Sequence, residues 1–267
     1  MLAIIIKDLR AYSRKRRIRN IQIIYICALS LILFLMVVEL SARGGYDVAR
    51  FDYGRVIFST FIVVAFLLLV ALATPISIIL SIVEEKREAN FDMLLLTPLK
   101  CSHILLSKLI ASTFYAIFML LSCLPLFSLS VYIGGLPLSQ IGFCFLIIFV
   151  AIATFNLVGI FYALVCKREE MAIILSYATI CILIFAPFLV MISAKVFDIN
   201  IQSIPVKVIK VLSPLYALLA VFGVVNEPVE FFLPSWAVTL NLYILISVTM
   251  FYAIQQTWFR SKLEISS

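Results

Sequence analysis

The sequence predicts an all-α integral membrane protein with six transmembrane helices, and three observations support this prediction. Of its 267 residues, 64% are hydrophobic and only 13% are charged, whereas soluble domains have about 45–50% apolar and about 25% charged residues. The apolar residues form long runs, each close to the roughly 20 residues that a helix needs to cross a membrane. Only short polar segments separate the runs, so we treat residues 1–267 as a single transmembrane domain.

The six apolar runs follow one another along the whole chain. Their predicted bounds are 21–38, 56–83, 105–133, 138–165, 171–194 and 236–259. Pro75, Pro125 and Pro187 lie inside the second, third and fifth runs, where a proline removes a backbone donor and bends a helix. The second run is longer than a membrane requires, so we expect it to be kinked or tilted and its far end to project into the cytoplasm.

A basic segment, residues 1–20, precedes the first run. Its apolar and basic residues fall on opposite helical faces, which predicts an interfacial helix on the cytoplasmic leaflet; the alternative is a disordered basic tail. The residues predicted to lie at the membrane surface are Lys7, Arg10, Arg14, Arg16 and Arg17. Because this charge adjoins an apolar run and no nucleic-acid recognition motif accompanies it, the net charge of +7 indicates contact with anionic lipids and no nucleic acid.

The segment Glu84–Leu99, here called the charged stretch, differs from the rest of the chain. It reads EEKREANFDMLLLTPL. Charges cost about 2.5–3.5 kcal/mol each inside a bilayer, so the stretch must lie in water or at the membrane surface. Phe91, Leu94 and Leu95 share one helical face, and Pro98 prevents a helix from continuing smoothly. This pattern predicts a short amphipathic helix; the alternative is a surface connector with no partner.

The charged stretch resembles the cytoplasmic connector of ABC type-2 permeases, the membrane subunits of ATP-binding-cassette exporters. The resemblance rests on the Glu/Arg-rich run, the Asp-Met-Leu-Leu-Leu core and the Thr-Pro-Leu end, while the rest of the chain is similar only in layout. It implies that residues 84–99 form a coupling helix that docks on a separate ATPase. The residues to which it assigns this role are Glu84, Glu85, Arg87, Glu88, Phe91, Asp92, Leu94, Leu95, Thr97 and Pro98.

The residues of the spans indicate that any energy source lies on another chain. The central parts of the predicted spans contain no Asp, Glu, Lys, Arg or His, although ion-coupled transporters need ionisable groups there. A phosphate-binding loop needs a Gly-Lys pair, which this sequence lacks. The six cysteines and the single histidine do not have metal-site spacing. We therefore predict no catalytic residue, metal or cofactor on this chain, and ATP with Mg on a partner ATPase subunit.

The distribution of basic residues predicts the orientation. Most of the 21 lysines and arginines lie on the side of the N-terminus, so both termini are predicted to be cytoplasmic. The resemblance to ABC type-2 permeases implies that the membrane is a bacterial inner membrane. Residues 195–235 then form an outer loop. Part of this loop, 208–225, is apolar enough to suggest a seventh span, but Lys210 and the Ser213-Pro214 pair oppose a full crossing. We predict a re-entrant or surface segment there.

Three functions are compatible with these observations. The first is a permease that pairs with itself or a sister chain, forms the substrate pathway and couples to the ATPase. The second is a membrane scaffold or assembly protein, and the third is a membrane enzyme or an uncoupled channel. Asn156 and Asn241 are the strongest polar groups inside the spans, and we interpret both as donors in interhelical hydrogen bonds rather than as substrate sites. The sequence does not identify the substrate.

Overall fold

The computed structural model describes residues 6, 16–42, 51–72, 74–87, 101–122, 125, 128, 138–166, 168–196, 210–223 and 234–266. Every regular element in these ranges is a helix, which confirms the predicted fold class. The helices are α1 Arg16–Ala42, α2 Phe51–Leu72, α3 Thr74–Arg87, α4 Cys101–Leu121, α5 Leu138–Val165, α6 Glu169–Val196, α7 Pro214–Val221 and α8 Ser235–Ser266.

Within the described ranges, six helical stretches are long and apolar enough to cross a membrane. We number them spans 1 to 6: Arg19–Val38, Ser59–Val83, His103–Leu121, Ser139–Val165, Glu169–Val190 and Ser235–Thr257. Span 2 comprises parts of α2 and α3, and each of the other spans lies within one helix. The number and order of the predicted spans therefore agree with the structure.

Two predicted boundaries differ from the observed ones. Helix α1 begins at Arg16, so residues 16–20 continue into span 1 as one helix, while Lys7, Arg10 and Arg14 lie outside the described residues. Helix α4 ends at Leu121, before the predicted end at residue 133. The amide and the hydroxyl of Ser122 both donate to the Phe118 carbonyl, at 3.0 and 2.8 Å. Pro125 has no amide hydrogen to donate to the Leu121 carbonyl one turn earlier, which accounts for the end of the helix at Leu121.

Span 2 consists of two successive helices that meet just before Pro75. Helix α2 ends at Leu72, and α3 begins at Thr74. A proline at position 75 cannot donate to a carbonyl in the preceding turn. The hydroxyl of buried Thr74 instead donates to the Val70 carbonyl at 3.1 Å. The kink predicted from Pro75 thus corresponds to a junction between two helices.

Helix α5 lies at the centre of the bundle. It is apolar on all sides, a composition typical of a helix surrounded by others, and it contacts α3, α4, α6, α7 and α8. Spans 2, 3 and 4 each have more than half of their residues buried, whereas spans 1, 5 and 6 have fewer than a quarter. Three inner spans are therefore flanked by three outer ones, which expose large apolar side chains such as Phe34, Ile182 and Leu245.

The loop before span 6 contains a short buried helix, α7. Ser213 precedes it in an extended conformation, and Gly223, with φ +66°, follows its C-cap and donates to the Ala220 carbonyl at 3.1 Å. Glycine adopts this left-handed conformation without steric cost, which is how helices often end. Eight residues rise about 12 Å, against about 30 Å of hydrocarbon, so α7 is too short to cross a membrane.

Helix α7 packs against α2, α5 and α8. The Ser213 hydroxyl donates to the Ile184 carbonyl of α6 at 2.9 Å, three residues before Pro187. The Tyr243 hydroxyl of α8 donates to the Leu212 carbonyl at 3.1 Å. The segment that suggested a seventh span is thus fastened within the bundle by two hydrogen bonds. Its depth in the membrane, re-entrant or at the surface, stays a prediction.

Candidate coupling site

The charged stretch begins inside a helix that is continuous with span 2. Glu84, Glu85 and Arg87 belong to the last turn of α3, and α4 starts at Cys101. The other residues predicted to couple to an ATPase lie outside the described residues: Glu88, Phe91, Asp92, Leu94, Leu95, Thr97 and Pro98. The amphipathic helix itself therefore stays a prediction, but the structure describes the two helices that hold its ends.

The end of α3 and the start of α4 pack in one apolar cluster, here called the stretch-side cluster. Its buried members are Ile78, Ile79, Ile82, Ile104, Leu105, Leu157, Ile160, Ala163, Ala172 and Ile254. They come from the end of α3, the start of α4, the end of α5, the start of α6 and the second half of α8. Within a membrane such side chains hold helices together by close van der Waals packing, because lipid is as apolar as the helices themselves. The cluster therefore joins five helices at the end of the bundle from which the charged stretch emerges.

A buried lysine links the two helices that flank the charged stretch. Lys108 of α4 is only 6% exposed, and its Nζ donates to the Ser81 Oγ of α3 at 3.3 Å. Removing an ammonium group from water costs several kcal/mol unless polar partners compensate, so roughly this much free energy depends on its polar contacts. The sequence led us to count Lys108 among the basic residues of the cytoplasmic surface, but the structure places it inside the bundle.

The connection between spans 4 and 5 is short and lies beside the same cluster. The Cys166 amide donates to the Tyr162 carbonyl at 2.9 Å, and the Ala172 amide donates to the Arg168 carbonyl at 3.2 Å. The hydroxyls of Tyr162 and Thr179 are hydrogen-bonded at 2.8 Å, joining α5 to α6. Only the last of these bonds joins the two helices, and both helices contact α3.

Polar side chains near the middle of α5 reach two different neighbours. The Asn156 amide donates to the Thr113 hydroxyl of α4 at 3.3 Å, as expected for an interhelical bond. The Thr154 and Ser247 hydroxyls are 2.9 Å apart, which links α5 to α8. Asn241, by contrast, is exposed and donates to the Ala237 carbonyl of its own helix. Among the residues that the structure describes, Asn241 makes no interhelical bond of the kind predicted.

A comparison with protein families identifies the whole arrangement. The family model described as "ABC-2 family transporter protein" matches residues 41–254. The chain belongs to the ABC-2 transporter family. The match covers more than half of the chain, including the charged stretch and the two helices that flank it. A search of curated proteins finds no match to this ABC-2 permease.

Membership of this family confirms the resemblance that the charged stretch indicated. The ABC-2 permease is the membrane component of an ABC-type transporter, and its family implies association with an ATP-binding-cassette partner. Such membrane components are generally not catalytic themselves. The multi-pass membrane architecture follows from the family and from the six apolar helical stretches.

Three residues important to this site were not identified from the sequence: Lys108, Ser81 and Gly159. A weak signal existed for Lys108, because it lies four residues after Ile104 and therefore on the same helical face. Nothing in the sequence pairs Lys108 with Ser81, since their helices are separated by the charged stretch. Gly159 is one of only eight glycines, and it lies well inside a span, which is typical of a close contact between helices.

Proposed function

We propose that this ABC-2 permease is the transmembrane subunit of an exporter, in which a separate ATPase docks on the charged stretch and drives movement of the spans. One observation chiefly supports this proposal. The stretch is joined at both ends to inner spans, and those ends are packed in the stretch-side cluster. A force applied to the stretch therefore acts first on the centre of the bundle and not on a peripheral helix.

The transmission of movement has a physical basis in the elements on either side of the stretch. Helix α3 is continuous from Thr74 to Arg87, so its last turn and its buried part move together. The junction before Pro75 lacks a regular backbone hydrogen bond, which allows this half of span 2 to change its angle relative to α2. Because α3 packs along α5, such a change is passed to the central helix.

The remaining parts of the proposal concern the partners. ATP and Mg bind at the ATPase subunit, and the charged stretch and both termini face the cytoplasm of a bacterium, where ATP is present. A second permease chain, identical or homologous, completes the pathway by packing against the exposed apolar faces of outer spans. The remaining faces, together with the basic residues near the N-terminus, contact membrane lipids. No nucleic acid is involved.

Copurification with the ATPase tests the proposal. The permease is coexpressed with a candidate ATPase encoded beside it, extracted and purified through a tag on the permease alone. We expect the ATPase to copurify and its rate of MgATP hydrolysis to differ from that of the isolated subunit. If the ATPase does not bind, or if binding leaves hydrolysis unchanged and vesicles show no ATP-dependent transport, the chain is a scaffold or assembly protein instead.

The direction of transport requires a separate measurement. Inside-out vesicles that contain the complex are supplied with MgATP and with compounds that stimulate its hydrolysis. An exporter accumulates such a compound inside these vesicles, whereas an importer does not. The same screen identifies the substrate class.

A further inference from the structure

Lys108 has an unusual environment for a charged residue in this protein. Among the Lys, Arg, Asp and Glu residues whose side-chain burial the structure describes, it is the only buried one. It lies five residues inside span 3, and Ser81 lies two residues before the end of span 2. The bond from Lys108 Nζ to Ser81 Oγ, 3.3 Å long, therefore connects two apolar segments within the bundle and not two surface loops.

The same two helices are also in contact through apolar side chains. Ile82 follows Ser81 directly, and Leu105 lies three residues before Lys108; both belong to the stretch-side cluster. Apolar contacts are not directional, so the Ile and Leu side chains of the cluster fit the two helices together by shape alone. A hydrogen bond from an ammonium group requires a defined distance and angle and is stronger than one between neutral groups. The lysine thus adds a directional contact to the apolar packing of the cluster.

We propose that Lys108 is a positioning residue that locks the ends of spans 2 and 3 in one register through Ser81, so that both spans move as one unit when the charged stretch moves. This inference rests on the proposed function, because it explains how docking of an ATPase acts on two spans at once. Without the bond, movement of the charged stretch shifts α3 against α4, and the movement does not reach both spans.

The test compares Lys108→Met and Ser81→Ala in the intact complex with the ATPase, using MgATP as the probe. Met has nearly the shape of Lys, and replacing a buried ion with an apolar residue of similar volume is often neutral or stabilising. We therefore expect Lys108→Met to copurify normally and to have an equal or higher unfolding temperature. Ser81→Ala leaves the buried ammonium without this acceptor, so its unfolding temperature should fall. The increase in MgATP hydrolysis that the permease causes should fall about tenfold, the factor that corresponds to one hydrogen bond with a charged group.

The matched control is Ser107→Ala. Ser107 is also buried and adjoins Lys108, but its hydroxyl donates to the Ile104 carbonyl of its own helix at 2.7 Å. This variant loses a buried hydroxyl without losing a link between helices, so we expect hydrolysis to stay at the level of the parent. The double variant Ser81→Ala, Lys108→Met should be no more impaired than Lys108→Met alone, because both changes remove the same bond.

A conformational readout tests the shared movement directly. Nitroxide labels at residues 80 and 106, on α3 and α4, report the separation of the two helices in a cysteine-free background. We expect this separation to be the same in nucleotide-free complexes and in those trapped with MgATP and vanadate. In Lys108→Met, the two states should give different separations.

Several results would overturn the inference. Hydrolysis at the level of the parent in Lys108→Met and Ser81→Ala would do so, and so would effects that multiply in the double variant. If Lys108→Met lowers the unfolding temperature and the rate of hydrolysis together, Lys108 stabilises the fold and has no positioning role. If Lys108→Met does not insert into the membrane, MgATP hydrolysis and label separation in Ser81→Ala test the inference. If the parent permease does not assemble with the ATPase, the proposed function itself is refuted. If the parent assembles and the variants couple normally, only the role of Lys108 is refuted.

Discussion

Gly159 of the central helix α5 lies directly against Pro75 at the start of α3. A methyl group added at residue 159 would be 3.4 Å from the Pro75 carbonyl oxygen, 3.5 Å from its Cα and 3.0 Å from Ile78 Cγ2. Small residues allow helix backbones to approach this closely in membranes. The contact places the junction in span 2 against the central helix of the bundle, so the junction is supported from one side while α3 leads towards the charged stretch.

Enlarging Gly159 should destabilise the protein. Gly159→Leu forces atoms into the space occupied by Pro75 and Ile78, and overpacking of this kind costs about 1–3 kcal/mol. We expect a lower unfolding temperature in detergent. Gly142→Leu is the control, because Gly142 lies in the same helix with no atom within 4 Å of an added Cβ. Equal unfolding temperatures for the two variants would contradict the close packing at Gly159.

The hydrogen bond between Asn156 and Thr113 should contribute measurably to stability. Thr113→Val keeps the shape of the side chain but leaves the buried Asn156 amide without this acceptor, at a cost of about 0.6–1.7 kcal/mol for an interhelical bond in a membrane. Asn241→Ala, at an exposed residue whose amide bonds to its own helix, should cost less. Unfolding in a denaturant series measures both. A larger effect at Asn241 would indicate that this residue contacts another chain.

The leucines of the charged stretch should be required for the ATPase to bind. Leu95→Asp introduces a charge on the face shared by Phe91 and Leu94 and removes an apolar contact worth roughly 1.5–3 kcal/mol. We expect normal insertion but loss of the ATPase on copurification. Leu96→Asp is the matched control, since the same change one residue later falls off that face.

Two results would oppose this prediction for Leu95. Full ATPase stimulation in Leu95→Asp would show that this face is not the docking surface. Loss of the variant from the membrane would show that the leucine packs within the chain itself, and the docking face would then have to be sought on the charged residues.

Cysteine labelling should confirm that both termini are cytoplasmic. Six spans place residue 267 on the same side as the basic N-terminus and residue 202 on the opposite side. In a cysteine-free background, a cysteine at Gln202 should react with an impermeant maleimide added to intact cells. A cysteine at Ser267 should react only after the membrane is opened. Labelling of Ser267 in intact cells would require an odd number of crossings.

The sequence alone determined the number and order of the spans. Within hydrocarbon every backbone group must be satisfied inside the chain, so a long apolar run between polar segments has one regular solution, a helix. The charged stretch was equally recognisable, because its charges exclude it from the bilayer and its sequence resembles a family that the comparison then confirmed. These features depend on local composition, which can be read without knowing any contact.

The sequence did not determine which residues of the spans face protein. Lipid is as apolar as a neighbouring helix, so Leu and Ile occur on both kinds of face and periodicity does not separate them. Asn156 and Asn241 illustrate the limit: both are asparagines inside apolar spans, yet one bonds to another helix and the other is exposed. The central position of α5, the contact of Gly159 with Pro75 and the bond from Lys108 to Ser81 were decided only by the tertiary structure, because each depends on which helices come together.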